Sequence, residues 1–230
     1  MSKRLEQIGP DLWTYERQIV LAGGLPFPAR SVLVRGRGER VLLVSPLPMD
    51  PPIRRAAEAL GSVQAIVAPN LVHHLFLRSA HQHHSMAAVF GPPGLERKQP
   101  GVPYQVLPEA GGLPPLGDDV QVCFIAGAPS VAEHVFFHVP SRTLILTDLL
   151  FHVRTASSWK TRVFLRLMGA YGKPAQSRLW RWLVKDRRKF RSALQQVLEW
   201  PFERVVMAHG EPIAGGASAT VRRAWSKFLS

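Results

Sequence analysis

The sequence predicts an α/β layered protein. At 230 residues, of which 46% are hydrophobic, the chain is long enough to bury the core of one domain, which we place at residues 1–230. Short apolar segments separated by turns, with 20 prolines and 18 glycines, favour strands joined by loops and helices over a helical bundle. Polar residues follow several of these segments, and strand ends are where α/β proteins collect their sites.

The first part of the chain alternates predicted strands with marked turns. Strands are predicted at residues 11–22, 31–34, 40–44 and 63–68. A helix is predicted from Pro51, with Asp50 as its cap and Gly61 at its end. The last of these strands is continuously apolar, which indicates burial on both faces, and a second helix is expected to begin near Leu71.

The remainder of the chain is predicted to add strands first and helices afterwards. Further strands are predicted at residues 87–90, 104–107, 120–126, 134–139, 143–147 and 204–208. One helix is expected between a cap at Ser158 and Gly169, and another between a cap at Asp186 and Pro201. A final helix is expected at residues 221–229.

Two of the predicted buried strands end on a polar side chain. The apolar segment at residues 143–147 is followed by the single carboxylate of Asp148, a costly arrangement unless that charge meets a cation or hydrogen-bond donors. An aspartate that caps the next helix is the alternative. The segment at residues 204–208 is followed by His209 and Gly210, so a second strand delivers a polar group to a glycine turn.

Histidines cluster after the strand predicted at residues 63–68. Five of the nine histidines lie there, namely His73, His74, His81, His83 and His84. The first two fall beside the strand end, where they are either metal ligands or caps of the helix. The other three lie a turn or two further on, which favours solvated histidines or a helix cap.

Positive charge is concentrated in a basic helical segment at about residues 152–200. The net charge is +13, and the stretch from Phe151 to Glu199 contains twelve Lys or Arg and two acidic residues. A solvated helical face explains this pattern, and so does binding of a membrane surface or an acidic partner through residues 154–191. Nucleic acid is less favoured, because the segment lacks the interleaved aromatic residues of a known module. Trp180 and Trp182 suit either a membrane interface or the core.

The sequence carries no export or membrane-spanning signal. The first residues lack an apolar signal core, and no segment reaches the roughly 18 apolar residues that a spanning helix needs. We therefore expect a cytoplasmic protein, with peripheral membrane association through the basic segment. The single cysteine, Cys123, is expected to be a small buried hydrophobic residue.

Two stretches resemble the metallo-β-lactamase superfamily. Residues 146–151, LTDLLF, resemble its T-G-D-L-L-F stretch, and residues 207–210, MAHG, resemble its strand ending in G-H-G. The resemblance covers about residues 12–213 and is closest to a bacterial group of uncharacterised proteins with a degenerate site. It implies a four-layer αββα sandwich with mixed sheets and a metal site at one edge.

The same resemblance implies one metal site in place of two. The three ligand positions of the first site hold Pro69, Leu71 and Ser130. The second site would be formed by His73, His74, Asp148 and His209, with Asp148 at the bridging position. Such a set suits Zn²⁺ and also Fe²⁺ or Mn²⁺, although four ligands close the site unless His73 only supports it. Glu133 and His134 are the candidates for proton transfer or for support of the ligands.

Two functions are compatible with these observations. In the first, the protein is a metal-dependent hydrolase that activates a water molecule against an ester, amide or phosphoester of a small or lipid-like anionic substrate. In the second, the chain binds no metal and is a non-catalytic protein of the same fold, whose basic segment binds a membrane or an acidic partner.

Overall fold

Two mixed β-sheets face each other in the structure, a computed structural model that describes residues 4–230. The first sheet has the spatial order β1 (Glu6–Gly9), β2 (Leu12–Leu21), β3 (Leu25–Arg35), β4 (Arg40–Val44), β5 (Ser62–Val67), β6 (Ala88–Gly91) and β7 (Gln105–Val106). The second has the order β12 (Arg204–Gly210), β11 (Thr143–His152), β10 (His134–His138), β9 (Gly117–Phe124) and β8 (Ala110–Leu113). The helices are α1 (Pro51–Glu58), α2 (Leu77–His83), α3 (Trp159–Leu167), α4 (Trp180–Leu183), α5 (Arg187–Leu198) and α6 (Ala217–Leu229).

Helices cover the outer faces of both sheets. The core between the sheets includes Leu12, Leu42 and Val67 from one sheet and Phe136 and Ile145 from the other. Helices α1 and α2 pack on the outer face of the first sheet, and α4, α5 and α6 pack on the outer face of the second. The four-layer αββα sandwich that the resemblance implied is therefore confirmed.

Local sequence signals set several of the element boundaries. Helix α1 begins at Pro51, as predicted, although the Asp50 carboxylate pairs with Arg17 at 2.7 Å and does not cap the helix. Helix α5 is capped by Asp186, whose Oδ1 accepts a hydrogen bond from the backbone of Lys189 at 3.0 Å. Cys123 is buried, as expected. Within residues 4–230, no helix has both the length and the apolar character needed to cross a membrane.

Two predicted boundaries near the candidate site are wrong. The helix expected near Leu71 begins at Leu77, because Asn70 first forms a turn in which its Oδ1 accepts from the backbone N–H groups of Val72 and His73. Strand β11 continues four residues past Asp148, where β12 pairs with it again beyond an irregularity. Asp148 therefore lies inside a strand and does not cap a helix.

The strand order brings four chain segments to one end of the sandwich. Parallel strands β4 and β5 both end there, which places the residues that follow them side by side. In the other sheet, β11 and β12 run parallel and carry Asp148 and His209. The ring of His209 reaches across to β3, where its Nδ1 lies 2.7 Å from the carbonyl oxygen of Pro28. The candidate site thus lies where the two sheets meet.

Candidate metal centre

Three predicted ligands converge at this end of the sandwich. The Nε2 atoms of His73 and His209 lie 3.2 Å apart, and each is 3.4 Å from a carboxylate oxygen of Asp148. The three side chains are largely buried, with exposed fractions of 9% for His73, 6% for His209 and 18% for Asp148. Their ligand atoms all lie within 4.8 Å of one another, which is close enough to share one ion.

The outward nitrogen of each imidazole has its own partner. His209 Nδ1 faces the Pro28 carbonyl, a pure acceptor, so this nitrogen carries a hydrogen and Nε2 is the ring nitrogen that faces the cluster. His73 Nδ1 is 2.8 Å from the hydroxyl of Ser45. Partners of this kind fix the orientation of metal-binding histidines in proteins.

The side chain of Asn70 orients the carboxylate of Asp148 by a hydrogen bond. This fully buried amide donates to Asp148 Oδ2 at 2.8 Å, lies 3.0 Å from the hydroxyl of Thr147, and donates to Glu133 Oε2. Its carbonyl oxygen accepts from the backbone of His73 at 2.7 Å. One side chain thereby fixes both a ligand carboxylate and the turn that carries a ligand histidine.

Glu133 lies beneath the strand that carries Asp148. Its Oε1 accepts hydrogen bonds from the hydroxyl and backbone of Thr147 and from the backbone of Asp148, the last at 3.2 Å. Glu133 is fully buried and does not line the cavity described below. The geometry makes it a positioning residue for β11, and it is not placed to exchange protons with a substrate.

Burial and mutual charge shift the pKa values of the cluster residues and of Glu133. Burial alone lowers the pKa of His73, but the carboxylates of Asp148 and Glu133 outweigh it and raise this pKa above its ordinary value. Burial opposes ionisation of Asp148, yet the imidazoles of His73 and His209 hold its pKa well below the usual range. Burial and the charge of Asp148 raise the pKa of Glu133 to about 7.

Close packing fixes the end of β12. Gly210 has φ +103°, and a Cβ atom there would lie 2.1 Å from the carbonyl oxygen of His152, so only glycine fits. The buried guanidinium of Arg30 donates to the Gly210 carbonyl at 2.7 Å, and the ring of Phe151 stacks on His209 with centroids 5.0 Å apart. These contacts fix the backbone that follows His209 and one face of its imidazole.

His74 lies outside the cluster, although it follows His73 directly. Its Nδ1 is 3.0 Å from the amide nitrogen of Gln99, which also donates to the His74 carbonyl. Burial and the positive charge of Lys98 lower the pKa of His74. The structure thus brings together three of the four residues that the resemblance implied as ligands.

The other predicted residues also lie away from the cluster. His134 is buried against Phe124, with ring centroids 4.8 Å apart, and its Nδ1 lies 3.2 Å from the carbonyl of Ala132. Ser130, at one of the three substituted ligand positions, is exposed. No role at the cluster follows for either side chain.

A mostly apolar cavity of about 180 Å³ opens beside the cluster. His73, Asp148 and His209 form part of its wall. Most of the remaining wall is apolar and includes Ile19, Leu21, Phe27, Leu75, Phe76, Phe151, Phe164, Leu165, Met168 and Leu179. Among the described residues, Asp148 is the one acidic group in the wall, and no lysine or arginine lines it. A ligand that reaches the cluster is therefore surrounded by hydrocarbon.

Sequence reasoning missed two residues that support the cluster, Asn70 and Ser45. Ser45 directly follows buried strand β4, and Asn70 lies three residues after the end of buried strand β5, which is the same signal that identified Asp148 and His209. Ser45 also has φ +52°, a backbone conformation that costs energy for a residue other than glycine. The signal was present in the sequence, but a serine and an asparagine are common in turns and attracted no functional interpretation.

Comparison with known proteins identifies the fold. No protein-family model and no curated protein matches the chain. Solved structures of metallo-β-lactamases are similar to it. The metallo-β-lactamase from Pontibacter korlensis is 14% identical, and the match covers 98% of each chain with a TM-score of 0.65. That from Erythrobacter litoralis is 15% identical, covering 98% of this chain and 89% of its own, with a TM-score of 0.61. DIM-1 metallo-β-lactamase is 13% identical, covering 98% and 95%, with a TM-score of 0.66. The chain therefore has the metallo-β-lactamase fold.

Proposed function

We propose that this chain, folded as a metallo-β-lactamase-type sandwich, is a metal-dependent hydrolase with one ion held by His73, Asp148 and His209. The observation that carries the proposal is the pair of Nε2 atoms 3.2 Å apart beside a carboxylate. His209 Nε2 is the ring nitrogen that faces this cluster, and the opposite nitrogen donates to a carbonyl. Two imidazoles and a carboxylate suit Zn²⁺, and also Fe²⁺ or Mn²⁺.

The ligand count supports catalysis over a purely structural role. A structural zinc site has four protein ligands, whereas a catalytic one has three and leaves a position open. With His74 turned towards Gln99, three protein ligands are available. All three also border the cavity, so a substrate there reaches the ion directly.

Different residues of the chain would have different roles at such a site. When bound, the ion would lower the pKa of a coordinated water molecule and polarise the substrate oxygen. Asp148 offers a carboxylate that Asn70 orients, and Glu133 fixes the backbone beneath it. The apolar cavity wall limits access of bulk water, which strengthens electrostatic interactions at the reacting group.

The cavity wall supports a substrate with an apolar group next to the bond that is cleaved. Phe27, Leu75 and Phe164 offer aliphatic and aromatic contacts. Among the described residues, no lysine or arginine lines the wall to pair with a carboxylate. An ester, thioester or amide of a hydrophobic acid fits this wall better than a charged small molecule does.

Metal analysis tests the ligand set. Protein purified without a histidine tag is expected to contain about one equivalent of zinc, iron or manganese, by the ligand count of a mononuclear site. Asp148→Asn and His209→Ala are expected to lose it, while His83→Ala, at an exposed histidine outside the cluster, retains it. Metal-free protein whose stability is unchanged in both cluster variants would contradict the proposal and favour a non-catalytic protein.

An activity assay tests the chemistry. We expect p-nitrophenyl esters of aliphatic acids to be hydrolysed, with activity abolished by a chelator and restored by the metal found in the purified protein. Rates should rise as the acyl chain lengthens until it fills the cavity. Equal rates for Asp148→Asn and the unaltered protein would show that hydrolysis takes place elsewhere.

A further inference from the structure

Helix α3 exposes a strip of large apolar side chains to solvent. Trp159, Val163 and Leu167 follow one another at four-residue spacing, so they share one face of the helix. Their exposed fractions are 62%, 44% and 63%. Thr161 and Leu165 on another face are buried, which means that the exposed strip is additional to the surface α3 uses for packing.

The same helix contributes to the wall of the apolar cavity. Phe164, which follows Val163 in α3, and Met168, which directly follows the helix, line the cavity. Leu75 and Leu179 line it as well and are 56% and 43% exposed, so they belong to both the wall and the outer surface. The apolar surface therefore continues from solvent, over α3, into the candidate site.

Two exposed tryptophans lie in the basic segment. Trp180 and Trp225 are buried in the core, with exposed fractions of 1% and 0%. By contrast, Trp182 is 78% exposed and Trp159 is 62% exposed, both within the basic segment. Tryptophan is enriched where an apolar phase meets water, because its ring is amphipathic.

A basic cleft is lined by the segment that follows α3 and by helix α6. It has a volume of about 570 Å³, and its cationic side chains are Arg166, Lys173, Arg178, Arg181, Arg223 and Lys227. Among the described residues, no aspartate or glutamate lines it. Residues 154–185 as a whole contain eight Lys or Arg and no acidic residue. Such a cluster of like charges is compensated best by an external polyanionic surface.

We propose that the exposed face of α3, together with Trp182 and the basic cleft, docks on an anionic lipid membrane. Apolar side chains flanked by cations are the pattern of a helix that lies in the membrane interface, where the cations contact lipid phosphates. Single-stranded nucleic acid would use aromatic rings stacked in a basic groove, whereas Val163, Leu167 and Leu179 are aliphatic. A soluble phosphate would leave the apolar strip without a partner.

Docking in this orientation also concerns the candidate reaction. The cavity mouth would face the bilayer, so a lipid acyl chain could enter along Leu75 and Leu179 without crossing water. This part of the inference rests on the proposed hydrolase function, and it assigns acylated lipids as the substrate class. The docking surface itself does not depend on metal or on catalysis.

Vesicle co-sedimentation of the full chain tests the docking surface. We expect strong binding to vesicles that contain phosphatidylglycerol and at least roughly tenfold weaker binding to pure phosphatidylcholine. The double variant Trp159→Ser, Leu167→Ser is expected to bind anionic vesicles about tenfold or more weakly, since each side chain loses its burial in lipid. Met86→Ser together with Val106→Ser removes exposed apolar side chains elsewhere and should leave binding unchanged.

A charge-matched pair separates the cleft from net charge. Lys173→Glu with Arg181→Glu and Arg37→Glu with Arg97→Glu change the net charge equally, but only the first pair lines the cleft. We expect about tenfold or greater loss of vesicle binding for the first pair and less than about twofold for the second.

Three outcomes would overturn the docking proposal. They are equal loss in both charge pairs, full binding by the Trp159 and Leu167 variant, or displacement of the chain from vesicles by single-stranded DNA or inorganic pyrophosphate. Vesicle binding by Asp148→Asn should equal that of the unaltered protein, so failure of the hydrolase proposal is recognised separately.

Discussion

Asp148 has two sets of partners, and they differ in kind. In the first set, the Nε2 atoms of His73 and His209 each lie 3.4 Å from a carboxylate oxygen of Asp148, which is longer than a good hydrogen bond. In the other set, Asn70 donates to the carboxylate at 2.8 Å and Glu133 accepts from the backbone of Asp148. The first set is loosely bonded and opens to a cavity, whereas the second is closely bonded and buried.

This difference agrees with the proposal of a single ion. The resemblance gives Asp148 a bridging position between two metals, yet Pro69, Leu71 and Ser130 cannot serve as ligands for the first. In the buried set, Asn70 donates hydrogen bonds to the carboxylates of Asp148 and Glu133. These hydrogen bonds stabilise the Asp148 carboxylate on the side where the resemblance would place a second cation. One half of the site is thus a fixed support for the other half.

The largest effect is expected from removing the centre of the buried set. Glu133→Ala removes the acceptor of the backbone N–H groups of Thr147 and Asp148 and of one of the two N–H groups of the Asn70 amide. We expect a loss of about 3–5 kcal/mol in the free energy of unfolding, measured by denaturant titration. Glu133→Gln, which keeps an oxygen acceptor, should lose clearly less, and equal losses would show that the hydrogen bonds are unimportant.

Asn70→Ala tests the connection between the two sets. The variant removes the donor to Asp148 and the acceptor that holds the His73 turn, so both stability and metal affinity should fall. We expect about 2 kcal/mol less stability and roughly ten- to hundredfold weaker metal binding, by calorimetric titration. If the variant is destabilised but its metal affinity is unaltered, the buried set does not position the metal ligands.

Ser45→Ala addresses only the loosely bonded set. Loss of the hydroxyl beside His73 Nδ1 frees the imidazole to rotate, and we expect roughly tenfold weaker metal binding. Ser31→Ala is the matched control, because its buried hydroxyl bonds to the Val44 carbonyl and touches no ligand. Similar losses of metal affinity in both variants would count against an orienting role for Ser45.

Buried imidazoles for which burial outweighs any carboxylate charge provide the next contrast. Burial lowers the pKa of His134 and of His138 to about 4, in contrast to the raised pKa of His73. Because the unfolded chain takes up these protons near pH 6.5, their contribution to stability is complete above that pH and falls away towards pH 4. His138→Gln should reduce the slope of stability against pH by about 1 kcal/mol per pH unit. An unchanged slope in denaturant titrations over this range would contradict the prediction.

The smallest effect is expected at His74. Since its ring lies beside Gln99 and outside the cluster, His74→Ala should change metal affinity by less than about twofold. The same substitution at His73 should abolish metal binding. Complete loss of metal in the His74 variant would instead support the set of four ligands that the resemblance implied.

The sequence by itself determined the sandwich and the positions at which polar groups leave its buried strands. Apolar periodicity located most strands of the sheets, and the resemblance around Asp148 and His209 indicated their arrangement. These features are local, because burial of a strand is written in its own residues. Cap and turn residues such as Pro51 and Asp186 likewise act within a few residues of the elements they begin.

Only the tertiary structure decided which polar groups meet. The turn formed by Asn70 directs His73 into the cluster and leaves His74 beside Gln99, and its buried amide acts through partners up to 78 residues away. Strand β11 continues past Asp148 because β12 pairs with it there, which no local pattern in residues 148–152 requires. Contacts between distant segments set these directions, and the spacing of residues along the chain does not encode them.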